Sequence, residues 1–199
     1  SIVHLKTTNM KKALFILAVP CLIVACVGNK TEEKKDMAQV PLTDPDLIAK
    51  GRYLVGITGC HDCHSPKIMT AQGPALDTSR LLSGHPSDMP IAPYDTTTTK
   101  NWVLFNMNQS AIKGPWGMSF SANLTPDDTG IGNWSEEHFS NALRKGYFKG
   151  LPGGRLLLPP MPWQMYAQMH DEDVRAIFAY LKSIKPVRNI VPAPIPPGA

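Results

Sequence analysis

The stretch that most limits what this chain can fold into is GITGCHDCHSPK, residues 56–67, where two cysteines stand two residues apart and a histidine follows the second directly. Cys60 and Cys63 can contribute to a metal clip, act as a redox pair of thiols, or carry a covalently attached prosthetic group. Each chemistry requires a different fold around it. The other cysteines and histidines decide which remain open.

Four cysteines occur in all, the other two being Cys21 and Cys26. Both lie in MKKALFILAVPCLIVACVGN, residues 10–29, where Lys11 and Lys12 precede a mainly apolar run from Ala13 to Ala25. A charged start followed by a short apolar core is the pattern of an export signal. The run is shorter than the roughly 20 residues a spanning helix needs, and Pro20 interrupts it. Ile23-Val24-Ala25-Cys26 resembles the lipobox of bacterial lipoproteins, which implies cleavage before Cys26 and a lipid on its sulfur. Cys21 fits that pattern less well, because Pro20 occupies the place of a small residue. Residues 1–25 are therefore expected to comprise an overextended start, upstream of Met10, and a cleaved signal. Residues 26–43, polar and without periodicity, read as a flexible tether from lipidated Cys26.

With two cysteines assigned to the leader, a zinc site lacks its second pair, since His61, His85, His138 and His170 are scattered singly. A thioredoxin-like pair follows a strand in a βαβ unit, whereas this one follows a helical pattern. Cys-x-x-Cys-His is the attachment signature of c-type haem: two thiols add across the vinyl groups, and the next residue is placed to reach the iron. Cys60 and Cys63 are thus expected to hold haem c covalently, with His64 as the proximal ligand and His61 solvated. A structural zinc or disulfide module is the rival reading of the motif.

Around the motif the pattern is helical. In DPDLIAKGRYLVG, Asp44 is placed to cap, Pro45 to occupy the first turn, and Leu47, Ile48, Gly51, Leu54 and Val55 to share a face. WSEEHFSNALRKG offers Ser135 as a cap, a Trp134–Phe139 staple and a terminal Gly146. HDEDVRAIFAYLKSIKP carries a stripe of Val174, Ile177, Phe178, Leu181 and Ile184, three acidic residues in its first turn and Pro186 as its stop. Residues 65–122 are rich in Pro, Gly, Ser and Thr and predict long loops, with one short helix around 100–113. Strand signals are few. The fold class is mainly α: a helical domain over residues 44–188 wrapped around one covalent haem with long irregular loops, followed by an extended, poorly ordered Pro-rich tail, 189–199. A buried haem would supply the core that such loops lack. Setting aside Lys6, Lys11 and Lys12, the 20 basic residues come close to balancing the 16 acidic ones, so the case for nucleic-acid binding disappears.

The order of these helices about Cys-x-x-Cys-His resembles the class I cytochrome c fold over roughly residues 44–188. NLTPDDTGIGNWSEEHFSNALRKG (123–146), LLPPMPWQMY and DEDVRAIFAYL are similar to single haem units in the cytochrome c subunits of membrane-bound alcohol and gluconate dehydrogenases. The resemblance implies that Met161 is the distal iron ligand. Met161 alone among the nine methionines stands between two prolines, Pro160 and Pro162, which restrict the backbone on both sides. His85 is the rival sixth ligand. Trp163 and Tyr166 are candidates to touch the haem, Arg155 to pair a propionate, and TPDDTG reads as a structural turn rather than a calcium loop. Those dehydrogenase subunits carry several haem motifs, and this chain has one.

The function expected is that of an exported, lipid-anchored, one-electron carrier, not an enzyme, passing electrons between a redox donor and acceptor at the extracytoplasmic membrane surface. It could serve as the electron-transfer subunit of a dehydrogenase or oxidase complex. The alternative is a haem enzyme or gas-binding sensor with an open or weakly held distal position.

Overall fold

Two helices, α1 (Pro45–Ile57) and α5 (Asp171–Ser183), pack against each other and carry the core. The computed structural model describes residues 40–198. The export signal, Cys26 and the tether as far as residue 39 lie outside the described residues. Among the described residues no helix is long and apolar enough to cross a membrane.

α1 begins as its sequence predicts, with Asp44 Oδ1 accepting from the Asp46 and Leu47 amides at 3.0 Å. Leu47, Gly51 and Val55 form its buried face. A Cβ on Gly51 would lie 1.9 Å from the carbonyl oxygen of Ala176, so the two helix backbones meet there. α5 buries Val174, Ala176, Ile177, Phe178, Ala179 and Leu181. Lys50 on α1 reaches Asp173 on α5 at 2.7 Å. α3 (Glu136–Lys145) is capped by Ser135 and ended by Gly146 at φ 70°, as expected. Phe139 of α3 stacks on Phe178 with centroids 5.3 Å apart. Arg175 pairs with Glu136 and donates to the Val40 carbonyl at 2.6 Å. Val40 and Leu42 therefore pack into the core, so the helical core draws in residues upstream of Asp44.

The middle region departs from expectation. Instead of a short helix over 100–113, it holds a 3-10 turn at Thr98–Lys100 and short strands. β1 (Lys67–Thr70) and β2 (Gly73–Leu76) form one antiparallel hairpin. β3 (Leu104–Phe105), β4 (Ala111–Gly114) and β5 (Gly117–Phe120) form an antiparallel three-stranded sheet in that order. The fold is thus helices plus small sheets, and the strands organise the region that looked loop-like. The Pro-rich tail is extended but tied down: Ile195 exchanges two backbone hydrogen bonds with Met118 of β5, at 2.7 and 3.0 Å. Asn189, its first residue, donates to the carbonyls of Ser83 and His85.

Candidate functional site

α1 is capped by Thr58, and Gly59 turns the chain at φ 71° into the single-turn helix α2, Cys60–His64. That positive φ suits glycine. Within one helical turn, residues i, i+3 and i+4 share a face, so α2 presents Cys60, Cys63 and His64 together. His61 turns away to pair its Nδ1 with Ser65 Oγ at 2.9 Å. Ser65 in turn accepts the Leu82 amide at 2.9 Å.

Both cysteines are free thiols, partly buried. Burial pushes the Cys60 thiol up, opposed by the Thr58 hydroxyl 3.3 Å from its sulfur. Burial likewise raises Cys63, opposed by Lys67. A thiol redox pair needs a lowered pKa to supply thiolate, so this electrostatic setting does not suit that rival. Among the described residues no group of three or more His, Cys, Asp and Glu is arranged to hold a metal ion.

His64 is oriented by its backbone surroundings. Its Nδ1 donates to the Ala122 carbonyl at 2.8 Å, which leaves Nε2 as the nitrogen with a lone pair. Burial depresses its pKa, against the pull of the Ala122 carbonyl, which favours the neutral ring. His64 as a whole is half-buried. Gly84 donates its amide to the His64 carbonyl at 2.8 Å. A Cβ at Gly84 would lie 2.5 Å from the Ser121 carbonyl oxygen, so only glycine fits between these segments.

Met161 is partly buried and packs against the main core cluster of Val55, Phe139, Ile177 and their neighbours. Cys60 and Tyr166 pack against the same cluster. Tyr166 OH donates to the Thr58 carbonyl at 3.0 Å, pinning α4 (Trp163–Tyr166) beside the turn into α2. Trp163 lies over Gly146, where a Cβ would come within 2.5 Å of its indole. His85 is fully enclosed: Nδ1 meets Ser110 Oγ at 2.9 Å and its ring lies 4.8 Å from Phe120. Arg155 is exposed, stacked 3.6 Å over Phe148 and donating to the Leu156 carbonyl. In TPDDTG, Asp127 Oδ1 accepts from the Thr129 amide at 2.9 Å and from its hydroxyl, and Thr129 Oγ1 in turn accepts from the Asn189 amide at 2.9 Å, so the turn is tied to the chain after α5.

The donor chemistry fits a covalently held haem: two thiols and one imidazole on a single helical face, the imidazole tethered through Nδ1 so that Nε2 is the nitrogen left to bind. Sequence reasoning missed Ala122, Gly84 and Thr58. Ala122 and Thr58 act through backbone carbonyls, which leave no trace in side-chain patterns, and only the glycine at 84 hinted at a close approach.

No family model matches the chain. It is 44% identical over 146 residues to the cytochrome c subunit of a quinone alcohol dehydrogenase of Gluconobacter oxydans, covering 72% of this chain and 23% of that protein. It is 31% identical over 145 residues to the cytochrome c subunit of a gluconate 2-dehydrogenase of Pantoea cypripedii, covering 71% of this chain and 24% of that one. The cytochrome subunit of a fructose dehydrogenase of Gluconobacter japonicus is 44% identical over 79 residues, 39% of this chain and 16% of that protein. The chain therefore spans a quarter or less of each of these relatives, all three of which are cytochrome subunits of dehydrogenases.

Proposed function

We propose that the chain is a monohaem cytochrome c that relays single electrons between redox proteins, anchored through lipidated Cys26 at an extracytoplasmic membrane surface. The observation that carries this reading is the shared face of Cys60, Cys63 and His64, with His64 Nδ1 committed to the Ala122 carbonyl. The dehydrogenase cytochrome subunits among its relatives support a dehydrogenase-type electron donor.

When bound, haem iron supplies reversible one-electron exchange between its ferric and ferrous states. The chain's residues set the conditions for that exchange. Cys60 and Cys63 would hold the porphyrin through thioethers, and His64 Nε2 and Met161 Sδ would be the protein's ligands to the iron. The Ala122 carbonyl on Nδ1 fixes the tautomer and strengthens His64 as a donor. A methionine ligand would favour the reduced state of the iron and would compete with small molecules for it. Tyr166, held on the Thr58 carbonyl, keeps the segment after Met161 against the attachment turn.

The test is the optical spectrum and midpoint potential of wild type and Met161→Ala. The ferric wild type should show the weak methionine-to-iron charge-transfer band at the red edge and a low-spin spectrum. Met161→Ala should lose the band and shift the potential downward. A high-spin wild type would transfer the reading to an open distal site, and an unchanged variant would point to another distal residue.

A further inference from the structure

Resting on the haem reading, we infer that one extended segment, Ser119 to Ala122, positions both axial ligands, and that Ser119 is the positioning residue for Met161. At one end, the Ala122 carbonyl takes the His64 Nδ1 proton at 2.8 Å. At the other, Ser119 Oγ donates to the Pro159 carbonyl at 2.7 Å, two residues before Met161.

The ligand loop has to be held in this way because of its own composition. Pro159, Pro160 and Pro162 have no amide hydrogens, so the backbone around Met161 offers almost no donors through which neighbours could fix it. Its carbonyls are the remaining handles. Ser119 supplies a buried hydroxyl to one of them. The other neighbours of that hydroxyl are more distant: Trp116 Nε1 donates to it at 3.4 Å, and the Ile112 carbonyl lies at 3.4 Å. The short contact to Pro159 therefore takes the proton.

The segment is stiff enough to act as a yoke. β5 pairs with β4 on one side, Ser119 opposite Ile112, and with Ile195 of the tail on the other. Beyond the strand, the Ser121 amide donates to the Ser110 carbonyl at 2.9 Å, and the Ser121 carbonyl accepts from the His85 amide at 2.9 Å. This assigns a role to the long middle region: it builds the small sheet that sets the distance between the two ligand-bearing segments.

The test uses the ferric haem-loaded protein and imidazole as a competitor for the sixth position. Ser119→Thr and Ser119→Val have nearly the same shape and differ in the hydroxyl. The threonine variant should match wild type. The valine variant should bind imidazole about fivefold more tightly, the equivalent of one lost hydrogen bond, with a weakened charge-transfer band and a lower potential. In a Met161→Ala background the same Thr-to-Val exchange should leave imidazole affinity unchanged, which a general loss of structure would not do. Equal affinities for the threonine and valine variants, with the charge-transfer band intact in both, would overturn the inference. So would an equal effect in the Met161→Ala background. Absence of haem from wild type would instead refute the functional reading.

Discussion

Replacing Gly51 with alanine should destabilise the protein, although alanine is the better helix former. The new methyl would stand 1.9 Å from the Ala176 carbonyl oxygen and 2.8 Å from Tyr180 Cβ, and its first obstacle is backbone that no rotamer change can move. Accommodation requires α1 and α5 to separate by about an ångström. That opens the contact made by Leu47 and Val55 against Ala176, Ile177 and Ala179. Overpacking of this kind costs about 3 kcal/mol. Helix propensity returns about 1 kcal/mol. The net loss is about 2 kcal/mol, which for a domain of this size lowers Tm by about 6 °C. Gly56 is the internal control: it lies in the same helix, and a Cβ there meets nothing within 4 Å. Thermal unfolding followed by circular dichroism should show Gly51→Ala melting well below wild type and Gly56→Ala at or above it. Equal melting temperatures for the two variants would refute the claim of backbone contact between α1 and α5.

Other consequences are open to measurement. Burial holds the His85 pKa below its ordinary 6.5, with Asp88 opposing, so as pH falls the unfolded chain takes up a proton first. Stability present above that pH should be lost as pH drops through it towards the folded-state pKa. Urea unfolding at about pH 7.5 and pH 5.5 should show that slope in wild type and a flatter one in His85→Gln. Cys26→Ser should release the protein from membranes or block its processing; normal processing with membrane retention would contradict the lipid anchor.

How much of this was legible beforehand follows from where each signal lies. α1, α3 and α5 announced themselves through Asp44, Ser135 and Gly146 at their ends and through apolar spacing along their faces, all local features. The strands did not, because they are two to four residues long and their burial does not alternate. β4 is buried at all four positions, Lys113 included, and it turns through Gly114 to Gly117. Period-two patterning has nothing to act on in such a strand. The pairing of Ile195 with Met118 joins residues far apart in sequence, and neither side chain advertises it. The site divides in the same way. Cys60, Cys63 and His64 stand out as candidates because their spacing suggests their chemistry, and Met161 because the resemblance and its two flanking prolines single it out. The Ala122 carbonyl that orients His64 could be found only in three dimensions.

The central claim is that Cys60 and Cys63 carry haem covalently, and peroxidase staining of a denaturing gel tests it directly. Wild-type protein produced in a host with c-type maturation machinery should stain at its own mobility, because thioether bonds survive denaturation. Cys60→Ala with Cys63→Ala should not stain. An unstained wild-type band, with the protein folded and exported under those conditions, would contradict the account.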